Sequence, residues 1–221
     1  MPGEFYENLR NERKAEILAA AKQRLLQDGF THTMMISIAK EAGISRQTLY
    51  KYFDSLDDII FCVQSQILHQ RRALRQTLFD PATPVCDTID SLVDIIFRDI
   101  NENADDWLFL CMFDIYVAHH NVDTALIQEY NTLILQGDFF RNMLAESQRA
   151  GTVRADLDAG TLSSFVFTTI LSFAQRMVIV GEDRINLAKS APAEELAAGL
   201  KDMLRRFILP QHTIYHTEEA T

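Results

Sequence analysis

Ser37-Ile-Ala-Lys-Glu-Ala-Gly-Ile-Ser-Arg-Gln-Thr-Leu-Tyr-Lys-Tyr-Phe53 is the stretch whose spacing decides the fold. Ile38 and Ala39 give a first short helix, near Met35 to Ala42, a small apolar face, and Ala42 lets a second backbone approach. Gly43 permits the positive φ of a tight turn between two crossing helices, and Ile44 plugs their angle. Ser45 stands where an N-cap belongs, opening a second helix near Arg46 to Tyr52. Leu49 and Phe53, four apart, turn its apolar side inward. At about 100° per residue, Gln47, Thr48 and Lys51 then lie on the far side, with Tyr50 and Tyr52 on the flanks and Arg46 at the leading end.

Helical patterning continues in both directions. Upstream, Ile17, Leu18, Ala21 and Leu25 recur at three and four, predicting a helix over Glu7 to Asp28 with Lys14, Lys22 and Arg24 outside its buried stripe. Gly29 supplies a left-handed stop, and Phe30 is placed to fold back on the last turn. Downstream, Asp54-Ser55-Leu56-Asp57-Asp58 reads as a cap with acidic residues at the positive end of a long helix. Ile59, Ile60, Val63, Ile67, Leu74 and Leu78 carry that helix to about Phe79, where Pro81 and Pro84 mark a joint. The run His69 to Arg75 reads as a solvated face of it. Five further helices follow, near Val85 to Asn101, Ala104 to His119, Asp123 to Ala150 with Gly137 a kink, Ala159 to Val180, and Ala193 to Leu209.

The 221 residues, 48% hydrophobic and 24% charged, suffice to bury a core, and 8 Gly and 5 Pro leave little material for the turns of an all-β fold. The expected fold is therefore all-α. Cys62, Cys86 and Cys111 are odd in number and widely spaced, which fits reduced core thiols better than disulfides or zinc. No apolar run reaches the roughly 18 residues of a membrane span, and the polar start is unlike a signal peptide, so the chain is expected in the cytoplasm, off the membrane. Residues 1 to 53 hold eight basic and six acidic residues, a net of +2, which leaves −12 of the total −10 for the remainder. The N-terminal head is the only part suited to a polyanion. Its second helix mixes groups that bond base edges (Arg, Gln, Thr) with phosphate binders (Tyr, Lys), as a recognition helix in a major groove requires.

This segment resembles the TetR-type transcriptional regulators. The likeness runs from Ile17-Leu18-x-Ala20-Ala21 through Gly29-Phe30, Ile38-Ala39, Ala42-Gly43-Ile44-Ser45 and Thr48-Leu49-Tyr50-x-Tyr52-Phe53 into Ser55-x-Asp57-Asp58-Ile59, about a fifth of the chain. The resemblance implies a three-helix helix-turn-helix DNA-binding domain, residues 1–53, joined by a long fourth helix to a ligand-binding and dimerisation domain, residues 54–221. It further implies a homodimer gripping a near-palindromic double-stranded operator, repressing transcription until a small-molecule effector binds the body. Carried over residue by residue, Ser45, Arg46, Gln47, Thr48 and Lys51 are implied to face the groove, with Tyr50, Tyr52 and Thr33 as phosphate contacts. Where the family often has Lys, this chain has Leu56, which leaves a phosphate contact from the fourth helix open.

In the body, Trp107, Phe113, Tyr116, His120, Phe139 and Met143 are candidates to line an effector pocket, against the plainer reading that aromatics at helical spacing are core. Phe165, Thr169, Phe173, Leu200, Leu204 and Phe207 are candidates for a helical pair that joins its symmetry mate, the alternative being an intramolecular core. Asp105-Asp106 fit a helix first turn better than acid–base work. No cofactor is called for, and the adjacent His119-His120 point to different sides of a helix, a poor metal site. The phosphate-loop, zinc-protease and nucleophile motifs of enzymes are missing, so an enzyme is not expected. The competing function is an adaptor of the same fold that acts through protein contacts without reading DNA sequence.

Overall fold

The computed structural model describes residues 2–76, 82–128, 138–184 and 192–210, and among them there is no strand. Helices α1 (Pro2–Asp28), α2 (Met35–Glu41), α3 (Arg46–Leu49) and α4 (Leu56–Gln76) come first. They are followed by α5 (Val85–Glu102), α6 (Ala104–His119), α7 (helical over the described residues 124–128), α8 (Asp138–Arg149), α9 (Ala159–Arg184) and α10 (Ala193–Ile208). The predicted end of the fourth helix near Phe79 and the predicted kink at Gly137 lie outside the described residues. The helix expected over Arg46 to Tyr52 is shorter, ending at Leu49, and Tyr50 to Tyr52 continue as a turn.

The chain divides into two compact units: Met1–Gln76 with Asp99–Gln136 and Gln175–Gly181, and Thr77–Arg98 with Gly137–Ala174 and Glu182–Thr221. In the first unit α1 packs on α2, α4 and α6, α2 on α3, and α4 on α6. Its core joins Ile17, Leu25, Ile38, Leu49, Phe53, Ile59, Ile60, Phe109 and Phe113, all essentially inaccessible. Gly29 (φ 80°) closes α1, with its amide donating to Leu25 O at 3.0 Å, and Phe30 reaches further than its own helix, to Phe109 and Tyr116 on α6. Ser55 Oγ accepts from Asp58 N at 3.0 Å, the cap expected at the start of α4, and Asp58 Oδ2 accepts from Asp54 N at 3.2 Å.

The run His69 to Arg75 departs from its reading as a solvated face. His69 and Gln70 are exposed, but Arg71 is 8% accessible. Its Nη1 donates to Asp106 Oδ2 at 3.1 Å, its Nε lies 2.9 Å from Asp99 Oδ2, and its guanidinium covers the Trp107 ring. Lys22 of α1 pairs with the other oxygen of Asp106, so only Asp105 of that acidic pair is left as an exposed first-turn residue.

In the second unit Arg154 ties a loop to the end of α10: its amide donates to Ile208 O at 2.9 Å, its Nη1 to Phe207 O at 3.1 Å. Arg205 and Lys201 of α10 pair with Asp90 and Asp94 of α5. Leu162, Val166, Ile170 and Ala174 form the buried seam of α9. Contrary to the sequence expectation, Ala159–Ile179 is long and apolar enough to cross a membrane by length and composition. Its Ser and Thr residues weigh little against hydropathy, and its most apolar stripe is buried in this seam.

Cys62, Cys86 and Cys111 are all outside disulfides. Cys111 is buried and Cys62 and Cys86 are half-buried; burial pushes the Cys111 thiol up to about 11, with Asp114 adding to the shift, so little of it is thiolate at neutral pH.

Candidate nucleic-acid interface

The head presents α3 on a turn held by local chemistry. Gly43 adopts φ 64°, and Ser45 Oγ accepts from Thr48 N at 3.0 Å to cap the helix. Leu49, at 0% accessibility, and Phe53 anchor it in the core, which leaves Ser45, Arg46, Gln47, Tyr50 and Lys51 exposed and Thr48 and Tyr52 half-buried. Seven of the eight residues proposed to touch DNA thus share one end of the head. Arg46 Nη2 donates to Tyr50 Oη at 3.4 Å with its guanidinium over that ring, and the Ser45 and Thr48 hydroxyls bond each other at 2.9 Å.

The eighth is a correction. Thr33 is 4% accessible, and its hydroxyl donates to Gly29 O at 2.8 Å, closing the α1–α2 connection rather than facing a phosphate. Leu56, where a Lys had been a family expectation, is half-buried against the core.

The cations of the head fall into two sets. Arg13, Lys22 and Arg24 are neutralised by Glu16, Asp106 and Asp28. Arg10, Lys14, Lys40, Arg46 and Lys51 pair with no carboxylate among the described residues. An exposed helix face with hydrogen-bonding side chains, set among unneutralised cations, has the composition of a duplex-binding surface.

A family model described as "Bacterial regulatory proteins, tetR family" matches residues 17–61, the segment just described. Over these residues the chain is similar to the tetR family of bacterial regulatory proteins. The HTH-type transcriptional regulator HbdR of Aromatoleum sp. (strain CIB) is 35% identical over 57 residues, 26% of this chain and 25% of that protein. This match spans about a quarter of the relative's length. The fatty acid metabolism regulator protein of Bacillus subtilis (strain 168) is 23% identical over 158 residues, 70% of this chain and 78% of its own. Among solved structures, the transcriptional regulator FadR from Bacillus subtilis in complex with stearoyl-CoA superposes with a TM-score of 0.68 at 18% identity, covering 88% of this chain and 98% of that one. That likeness shows that the two share an all-helical fold along most of the chain.

Outside the head, the residues suggested for an effector pocket are mostly engaged. Trp107 Nε1 donates to Asp99 Oδ2 at 2.9 Å, and Phe113 packs edge-on against Phe61 with centroids 4.9 Å apart. Tyr116 Oη donates to Asp57 Oδ1 at 2.5 Å while its ring stacks on His120 at 4.1 Å. Burial first, then the Asp57 carboxylate, raise the Tyr116 hydroxyl above its ordinary value, so it stays protonated as a donor. Met143 is buried in the second unit, and Phe139 and His120 are exposed. A groove of about 410 Å³, lined by Asn11, Lys14, Leu18, Asp58, Phe61 and Cys62 among others, includes none of the six.

The suggested dimer residues also divide. Leu200 and Leu204 are buried within the chain, and Phe173 stacks on Phe97 at 5.9 Å, so these three serve the intramolecular core that the sequence left as the alternative. Phe165, 42% accessible, stacks on the half-buried Phe207 at 3.9 Å; Thr169 is half-buried. The open stripe of α9 is Thr161, Ser164, Phe165, Thr168, Ser172 and Arg176, with Met203 exposed on α10. Most of these were missed, because small hydroxyl residues give no apolar signal in the sequence.

Proposed function

We propose that the chain is a sequence-specific DNA-binding transcriptional regulator, a repressor released from a palindromic operator by a small-molecule effector. The observation that carries this is the exposed face formed by Arg46 and Gln47 on α3, anchored by Leu49, and by Tyr50 and Lys51 on the turn that follows it. Residues 1–53 act as the DNA-binding domain and residues 54–221 bind the effector and a second copy, in the cytoplasm. Arg46 and Gln47 read base edges, and Tyr50, Lys51 and Tyr52 hold phosphates. The match to a family of bacterial regulatory proteins supports a regulator over an enzyme.

Selection of genomic fragments by the purified protein tests the reading, and recovery of a palindromic site supports it. Gln47→Ala then relaxes base preference at one operator position by about 1–3 kcal/mol, whereas Tyr50→Phe weakens binding to all sequences alike. Unselective, salt-sensitive binding that both variants leave unchanged overturns the assignment in favour of the adaptor. Stearoyl-CoA, the ligand of the Bacillus subtilis FadR structure, is the first effector to add to a preformed complex.

The homodimer rests on the open stripe of α9 together with Phe165 and Phe207. A dimer covering about 2,000 Å² or more persists at micromolar concentration, so light scattering is expected to give twice the chain mass, and Thr168→Arg to shift it toward monomer. A parent monomer at that concentration overturns it. Two heads then read half-sites roughly 34–36 Å apart, or a near multiple.

A further inference from the structure

We propose that Arg10, on the part of α1 that precedes the family match, is a phosphate-binding residue that extends the DNA interface beyond the helix-turn-helix; the proposal rests on the DNA-binding reading of the head. Family matching begins at residue 17, so nothing in the motif itself assigns a role to α1 before that point. Yet α1 starts at Pro2 and runs unbroken through Arg10 to Asp28.

Its position is fixed by the residues it meets. The Arg10 guanidinium carbon lies 6.0 Å from the centroid of the Tyr52 ring, and one turn later Lys14 Nζ lies 5.3 Å from that of Phe53. Tyr52 and Phe53 are the residues by which the chain leaves α3, so this side of α1 borders the recognition surface.

Charge pairing separates Arg10 from its neighbours. Arg13, three residues on, is neutralised by Glu16, while Arg10 is exposed and pairs with no carboxylate among the described residues, Glu7 one turn earlier included. An unpaired, exposed guanidinium beside a tyrosine is suited to an oxyanion. The ring face attracts the cation and restricts where it swings, while its planar fork of N–H donors matches two phosphate oxygens. With −12 carried by the chain beyond residue 53, a cation here also adds to the local field that draws a polyanion to this end of the protein.

The test is the salt dependence of binding to the selected operator duplex and to a random duplex of equal length, titrated between 50 and 200 mM salt by fluorescence anisotropy. Removing one phosphate-bound cation lowers the slope of log K against log salt by about 0.9, and two heads double that. Arg10→Ala is therefore expected to lose about tenfold less affinity than the parent across this range, on both duplexes. Arg10→Lys keeps the parental slope. Arg13→Ala, which removes the same charge three residues away, keeps it too.

An Arg10→Ala slope equal to the parent's overturns the proposal even where affinity falls, because Arg10 then only props Tyr52. An equal drop in Arg13→Ala overturns it as well, since the effect is then general charge. A parent protein that binds neither duplex is a failure of the DNA-binding reading itself, and is recognised before any variant is measured. The side chain is exposed on a long helix, so an unchanged thermal melt is expected of all three variants.

Discussion

Arg71→Met is expected to lower the free energy of unfolding by about 3 kcal/mol, the lower end of the cost of breaking a buried ion pair. The guanidinium stands between two carboxylates, Asp99 at 2.9 Å and Asp106 at 3.1 Å, with all three side chains nearly excluded from water. Methionine replaces the stem and loses both pairs. Some compensation remains, which sets the estimate low: Trp107 and Asn103 still donate to Asp99, and Lys22 still pairs with Asp106. Removing the cover over the Trp107 ring adds a smaller cost. Urea unfolding at fixed protein concentration and neutral pH measures it, concentration being held because the proposed dimer's apparent stability would depend on it. A loss below about 1 kcal/mol would mean that the two carboxylates take up protons or water once the cation is gone, and that the network is weaker than its geometry implies.

The same cluster shows where reading a sequence ends. The turn at Gly43, the cap at Ser45 and the inward Leu49 and Phe53 were all legible, because each depends on residues within four positions of one another. Arg71 was not, because its partners lie about 30 residues further along the chain, and in sequence it sits among cations that read as a solvated run. Thr33 failed for a related reason. The resemblance implied a phosphate contact for its hydroxyl, and only the path of the chain after Gly29 shows that hydroxyl returning to a backbone carbonyl. Aromatic spacing identified the buried residues of α6 correctly as interior but could not say whether protein or ligand fills the space beside them. Arg10 was countable as a charge from the first, while its neighbour Tyr52, 42 residues on, became visible only in the fold.

Phe113→Ala is expected to cost about 3–5 kcal/mol, the range for removing a phenyl group from a packed core. The side chain is 1% accessible, in edge contact with Phe61, and belongs to the same cluster as Leu49 and Phe53 of the head. Because Phe61 is large and the cluster that holds both rings draws on α1, α2, α3, α4 and α6, the site collapses poorly around the void, which keeps the cost high. This separates the two readings that the sequence left open. A ring that lines an effector pocket has ligand or solvent on one side, so its removal costs little stability and instead weakens the effector. Chemical unfolding of the variant, with operator release by the proposed effector measured beside it, decides between them. A cost near 4 kcal/mol with release retained places Phe113 in the core, whereas a cost below about 1 kcal/mol with release abolished would return it to the pocket. The large cost is the expected result, since the ring already has Phe61 packed against it and almost no surface left for a ligand.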